Sequence, residues 1–287
     1  MITFSIMTEK GKKKKFLFAG LGLAIFFLIS AGLAYGTNLN DTITKVFKRI
    51  YPAAILAHGY ISIADLDQAR QIARKLDPAT DPNKVFEELI KSREKMQLAR
   101  NLHLNFDSGN FSDEIKFYTT GRKQKYDQFL NDYFSGDERL FQNYVLNPQV
   151  YDSLLKIKYN SNFAANNDAY NKAENVLAKL DSGQKFEDLA KTYSDDKVSG
   201  QLGGDLGFVN AGQLLPELEK AVMSAKVGEI KKEIVISRLG YHIIYPVETA
   251  QQNGQKVWHV KHVLIQTQGY DSWLTTQLSK FAVWRIL

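Results

Sequence analysis

The chain has 287 residues, 44% of them hydrophobic and 24% charged, a composition that excludes a disordered or fibrous protein and leaves room for about two domains with an appendage. Its formal charge of +6 is lopsided: Lys10 and Lys12 to Lys15 against Glu9 place +4 in the first fifteen residues, so the remaining +2 gives no basic face for nucleic acid. The absence of cysteine rules out disulfides, thiolate metal sites, a cysteine nucleophile and a cysteine-borne lipid anchor.

Residues 1–15 form a basic tail, and Phe16 to Tyr35 follow without a charge. Twenty residues are enough to cross a hydrocarbon core of roughly 30 Å as a helix. The lysines before this span predict a cytoplasmic N-terminus and an extracytoplasmic bulk. A cleaved signal peptide is the other reading, because Gly32-Leu33-Ala34 offers small residues at a cleavage-like spacing.

Residues 36–163 read as a helical domain. Asn40 or Asp41 caps a short helix through Tyr51, and Ser62 with Asp65 forms a capping box that opens Ile63 to Leu76. Asp81 and Pro82 begin a long helix to about His103. Ser112 is expected to cap one further helix carrying Phe117, Tyr118, Tyr126, Phe129, Leu130, Tyr133 and Phe134 up to Gly136, and two more helices run from Glu138 to Leu146 and from Pro148 to about Tyr159. This aromatic stripe is either ordinary core or a groove for unfolded chains.

Helices are then expected over about 168–180 and 186–193. A dense glycine run follows, Gly203-Gly204-Asp205-Leu206-Gly207-Phe208, with a strand near 206–210 and Gly212-Gln213-Leu214 leading to a helix over 216–225. Two strands close the segment, Ile230 to Arg238 and Tyr241 to Glu248, and Gly240-Tyr241-His242-Ile243-Ile244 puts one imidazole at the head of an apolar strand.

The order Gly-Asp-Leu-Gly, Gly-Gln, Gly-x-His-Ile-Ile, on helix, helix, strand, helix, strand, strand, resembles a parvulin-type peptidyl-prolyl isomerase domain over about 169–248. A weaker likeness, His58-Gly59-Tyr60-Ile61-Ser62, is to the segment that opens the chaperone domain of SurA-like and PrsA-like extracytoplasmic foldases. The resemblance implies an α+β fold with an antiparallel four-stranded sheet and flanking helices, and isomerisation of X-Pro bonds without metal or other cofactor. It implies catalytic roles for His242 and Asp196 and a proline cradle at Leu206, Leu214 and Leu218, with Phe208 beside them. The family usually carries methionine at Leu214 and phenylalanine at Leu218, so the cradle here is aliphatic. Each residue also has a purely structural reading: a core imidazole, a turn cap, a packed leucine.

The family's first strand, which brings a second histidine, is missing from its usual place: Val150, Leu154 and Ile157 repeat at helical spacing. His262-Val263-Leu264-Ile265, beyond the turn signal Asn253-Gly254, matches that element and is expected to supply the strand from the C-terminal side, giving a domain over 164–267 with the replacement strand at 256–267. A loop centred on Gln252 sets His242 and His262 opposite each other. A tight two-residue turn at Asn253-Gly254 puts them on different faces unless a bulge intervenes. The competing account is a remnant of a second domain. Residues 268–287 form an extension with a short helix and a final strand over 281–287.

His58, His103 and His259 lack metal-ligand spacing. The partners expected are unfolded or exported polypeptides with X-Pro bonds and, through residues 16–35, a membrane. The second functional reading is a holdase or scaffold that keeps the parvulin shape without turnover.

Overall fold

The computed structural model describes residues 41–104, 108–120 and 123–287. The expected basic tail and membrane span lie outside these residues, and among the described residues no helix is long and apolar enough to cross a membrane. The chain divides into two units, one holding 41–90 and 281–287, the other 91–280.

In the first unit, α1 (Asp41–Ile50) leads into β1 (Pro52–Leu56) and β2 (Gly59–Ser62), followed by α2 (Ile63–Leu76) and the start of α3 (Pro82–Asn101). Ser62 caps α2 reciprocally, its hydroxyl accepting from the Asp65 amide while the Asp65 carboxylate accepts from the Ser62 amide, both at 3.1 Å. The β1–β2 hairpin was not foreseen. Its Ala53, Ala54 and Ile61 pack with Leu66, Phe86 and Ile90 into one core, so the short apolar run serves a sheet rather than a helix end.

The second unit begins with helices α4 (Ser108–Thr119), α5 (Lys123–Phe134) and α6 (Glu138–Phe141), then a π-helical turn over Gln142–Leu146 that runs into α7 (Asn147–Asn160). The single helix expected from Ser112 to Gly136 is two. The two helices expected on either side of Pro148 are joined, because the widened turn accommodates a proline that has no N–H to give to the preceding turn. The aromatic stripe is core at its C-terminal end, where Leu130 and Phe134 are buried and Phe134 meets buried Phe141 with ring centroids 5.5 Å apart, while Phe117, Tyr126, Phe129 and Tyr133 are half-buried.

Next come α8 (Asn167–Asp181), α9 (Phe186–Tyr193), α10 (Lys197–Gln201), β3 (Asp205–Val209), α11 (Pro216–Ser224), β4 (Val235–Ser237), β5 (Gly240–Gln252), β6 (Gln255–Gln266) and α12 (Tyr270–Leu278). The sheet is four-stranded and antiparallel in the order β3-β6-β5-β4. Alternation along β5 and β6 gives it two apolar faces. Tyr241, Ile243, Val263 and Ile265 pack under α8 and α9, whereas Ile244 and Val260 pack under Leu218 and Val222 of α11. The strand expected over 230–238 is ordered as sheet only at Val235–Ser237; upstream, single amides of Gly228 and Lys231 reach carbonyls of β5.

The division expected at residue 163 is not where the contacts divide. Buried Asn160, at the end of α7, donates to the Ser237 carbonyl at 2.7 Å and accepts from the Tyr241 hydroxyl at 2.7 Å, tying the preceding helices to the sheet. The chain's last strand, β7 (Val283–Arg285), instead pairs with β1, where Arg285 meets Glu87 at 2.6 Å.

Candidate functional site

Two imidazoles from the central strands define the site. The turn at Asn253-Gly254 is tight, pairing Gln252 with Gln255, and that register alone would send His242 and His262 to opposite faces. A bulge between Pro246 and Glu248 leaves Val247 unpaired and restores a common face. The side chains meet diagonally, with Nδ1 atoms 3.2 Å apart and rings nearly parallel at 22°.

Hydrogen-bond chemistry determines the protons. His262 Nε2 lies 3.0 Å from Asp196 Oδ2, and an ionised carboxylate can only accept, so Nε2 carries the hydrogen. A neutral His262 then accepts at Nδ1, which makes His242 the donor at Nδ1 and an acceptor at Nε2. The Ser237 hydroxyl supplies that last proton at 2.7 Å while accepting the Leu239 amide at 3.0 Å. Ser199 completes the far end by donating to Asp196 Oδ2 at 2.7 Å and lying 3.0 Å from His262 Nε2.

This network requires both imidazoles to be neutral. Burial pushes the His242 pKa down to about 3, and the neighbouring His262 adds to the shift. Burial also lowers His262, against the opposing pull of Asp196. At Asp196 partial burial raises the carboxyl's pKa, but the hydrogen bonds from Ser199 and His262 outweigh it and hold it below the ordinary range.

Local sequence explains the placement. Asp196 is the N-cap of α10, accepting from the amides of Val198 and Ser199, so the carboxylate is aimed by its own helix. The glycine run lets β3 approach β6: Gly204 has φ +81, its carbonyl accepts the His262 amide at 2.8 Å, and a Cβ there would lie 2.3 Å from the His262 carbonyl oxygen.

The expected site residues divide by position. His242 is fully buried and His262 is 6% exposed, so neither imidazole offers its ring to a bound chain; Asp196 is the network's most accessible acidic group. Leu218 is buried, and half-buried Leu206 and Leu214 pack with it over Ile244 and Val260, which flank the imidazoles on the same face. Phe208 departs from expectation. It pairs with His259 and lies against that ring at 5.0 Å; His259, three residues before His262, is on the other face, where Asp205 holds its Nε2 at 2.9 Å. Ser199 and Ser237 were not singled out, although Ser199 stands three residues after a capping aspartate, which is a readable signal. A cavity of about 790 Å³ opens under α8 and α9 against Leu177, Phe186, Ile230 and Tyr245, away from the paired imidazoles. The imidazole pair and the three leucines lie on the opposite face of the sheet.

The described residues hold no group of three or more acidic or imidazole side chains placed for a metal ion.

The family model for the rotamase described as a PPIC-type PPIASE domain matches residues 154–248. The chain is 36% identical over 138 residues to Foldase protein PrsA 2 of Bacillus cereus, covering 43% of this chain and 48% of that protein. It is 38% identical over 100 residues to Chaperone SurA of Nitrosospira multiformis, covering 35% and 22%, and 47% identical over 72 residues to Foldase protein PrsA of Geobacillus kaustophilus, covering 25% of each. The chain thus spans less than half the length of these curated relatives. Residues 154–248 carry a parvulin-type PPIase domain, in a chain whose relatives are named as foldases and chaperones.

Proposed function

We propose that the protein is a parvulin-type peptidyl-prolyl cis/trans isomerase and folding chaperone, held at the membrane by residues 16–35 with its bulk extracytoplasmic, acting on exported polypeptides. The carrying observation is the face shared by Asp196, the buried imidazole pair and the leucine wall of Leu206, Leu214 and Leu218. The lysine cluster beside an uncharged stretch supports the anchor.

Rotation about a prolyl bond faces a barrier of roughly 18–20 kcal/mol because twisting destroys amide conjugation. No bond to the protein is needed. The leucine wall strips water from the proline ring, and the Asp196 carboxylate disfavours the planar amide, whose oxygen carries more negative charge than that of the twisted form. His242, His262, Ser199 and Ser237 position that carboxylate.

Complete burial of His242 favours one second reading, in which the pair only fixes the sheet and the protein holds unfolded chains without turnover. Isomerisation of an Ala-Leu-Pro-Phe peptide by the full chain, beside Asp196→Ala and His242→Ala, decides between them. The enzyme reading expects a rate above buffer that falls about tenfold or more in Asp196→Ala. Equal rates in every sample, with aggregation of an unfolded client still suppressed, leave the holdase.

A further inference from the structure

Among the described residues, the two most exposed large hydrophobic side chains are Val198 at 81% and Leu202 at 67%. Both project from the short α10 and the residue that ends it, four positions apart and therefore on one side of the turn. The opposite side of the same turn is buried: Ser199 reaches the imidazole network, and Gly200 packs so closely that a Cβ would meet the Ala190 carbonyl and Ser194 Cβ at 3.3 Å. With the polar residue inside and the apolar ones outside, the usual amphipathic pattern is inverted.

Packing does not account for it. The Asp196 cap bonds the Val198 and Ser199 amides, so the turn cannot roll its apolar side inward without losing the cap and the contact to His262. A β-branched valine in a five-residue helix adds nothing to helix stability. What distinguishes the patch is its place. Val198 is two residues from Asp196, a span of at most about 7 Å of backbone, which is the reach of a side chain adjacent to a proline held over that carboxylate.

We infer that Val198 and Leu202 form a subsite for an apolar side chain flanking the proline of a bound polypeptide, and so select chains with bulky apolar residues beside proline. This rests on the isomerase reading of the same site. An open two-residue subsite of this size is expected to favour leucine over glycine at one flanking position by about tenfold.

The test uses the full chain with Ala-Xaa-Pro-Ala and Ala-Pro-Xaa-Ala peptides, Xaa being leucine or glycine. The dissociation constant and the isomerisation rate are read from the peptide signals in one exchange-spectroscopy series. The leucine-to-glycine affinity ratio should be about tenfold in the parent protein and near one in Val198→Ser and Leu202→Ser, while Val227→Ser, which trims an exposed apolar side chain elsewhere, keeps the parent ratio. A parent ratio near one, or one that survives both substitutions, overturns the subsite. Binding with the expected ratios but no isomerisation overturns the enzyme and keeps the subsite. No binding of any peptide removes both.

Discussion

His242 and His262 touch at 3.2 Å although neither is the other's cross-strand partner: His242 lies opposite Leu264, and His262 opposite Ile244. The diagonal exists because one unpaired residue, Val247, shifts the hairpin register between the tight turn and the imidazoles.

Deleting Val247 should therefore leave an unbroken ladder in which Glu248 still faces His259 and Pro246 still faces Val260, so that His242 and His262 keep their common face without a bulge. The expected outcome is a folded variant that retains the coupled imidazole signals in nitrogen-15 spectra. Loss of the coupled pair in a folded variant would contradict this account of the bulge.

Acid should weaken the fold through the same pair. Both imidazoles have folded pKa values below the ordinary 6.5, so as pH falls below about 6.5 the unfolded chain binds protons that the folded chain refuses. Their contribution is complete above that pH and is lost on the way down to about 3, the value for His242. The lowered carboxyl of Asp196 acts in the same direction at the acid end, its contribution being lost as pH falls through its folded value. Urea titrations between pH 4.5 and 7.5 should show stability rising with pH, and His242→Gln should flatten the slope by up to about 1.4 kcal/mol per pH unit. An unchanged slope would show that His242 takes up a proton in the folded protein.

Two glycines of one loop should respond differently to alanine. At Gly204 the new methyl meets the His262 carbonyl as well as a left-handed backbone, so Gly204→Ala should cost more than about 2 kcal/mol and separate β3 from β6. At Gly207, φ +71 with nothing within 4 Å, only the backbone cost of about 1 kcal/mol remains. Chemical unfolding of both variants checks the ranking, and equal costs would mean the close approach is absent.

Arg238, in the turn before β5, neutralises two carboxylates, Glu217 at 3.1 Å and the 4%-exposed Glu114 of α4. Arg238→Met should destabilise by about 3–5 kcal/mol by leaving those charges buried together, and adding Glu114→Gln should recover part of the loss. Thermal melts of the single and double variants give the comparison; strict additivity would deny the coupling.

Where local chemistry alone decides, the sequence was readable. Ser62 with Asp65, Asp81 before Pro82, and the Asn253-Gly254 turn each ended or began an element as expected, because a cap or a turn is satisfied within a few residues. The leucine wall and the acidic cap at 196 were placed by their resemblance to a family pattern. What escaped depends on distant partners. The β1–β2 hairpin is stable only with β7 and the α2–α3 core, some two hundred residues apart in part. Phe208 looked like part of the cradle because strand alternation near a glycine-rich irregularity cannot be counted reliably; the register shift between Asp205 and Phe208 turns it towards His259. The bulge at Val247 has no composition signal, so the sequence offered a choice of registers and the packing of both sheet faces made it.

The late position of β6 changes how the sheet is put together. Its two central strands are closed by a two-residue turn, whereas a first strand placed ahead of α8 would have to be joined to β5 across a connection several times longer, with the slower closure that chain entropy imposes. The price is paid during synthesis: helices α8 to α11 emerge before the strand that completes the floor beneath them, so the half-made domain keeps an open apolar surface until residue 266 has left the ribosome.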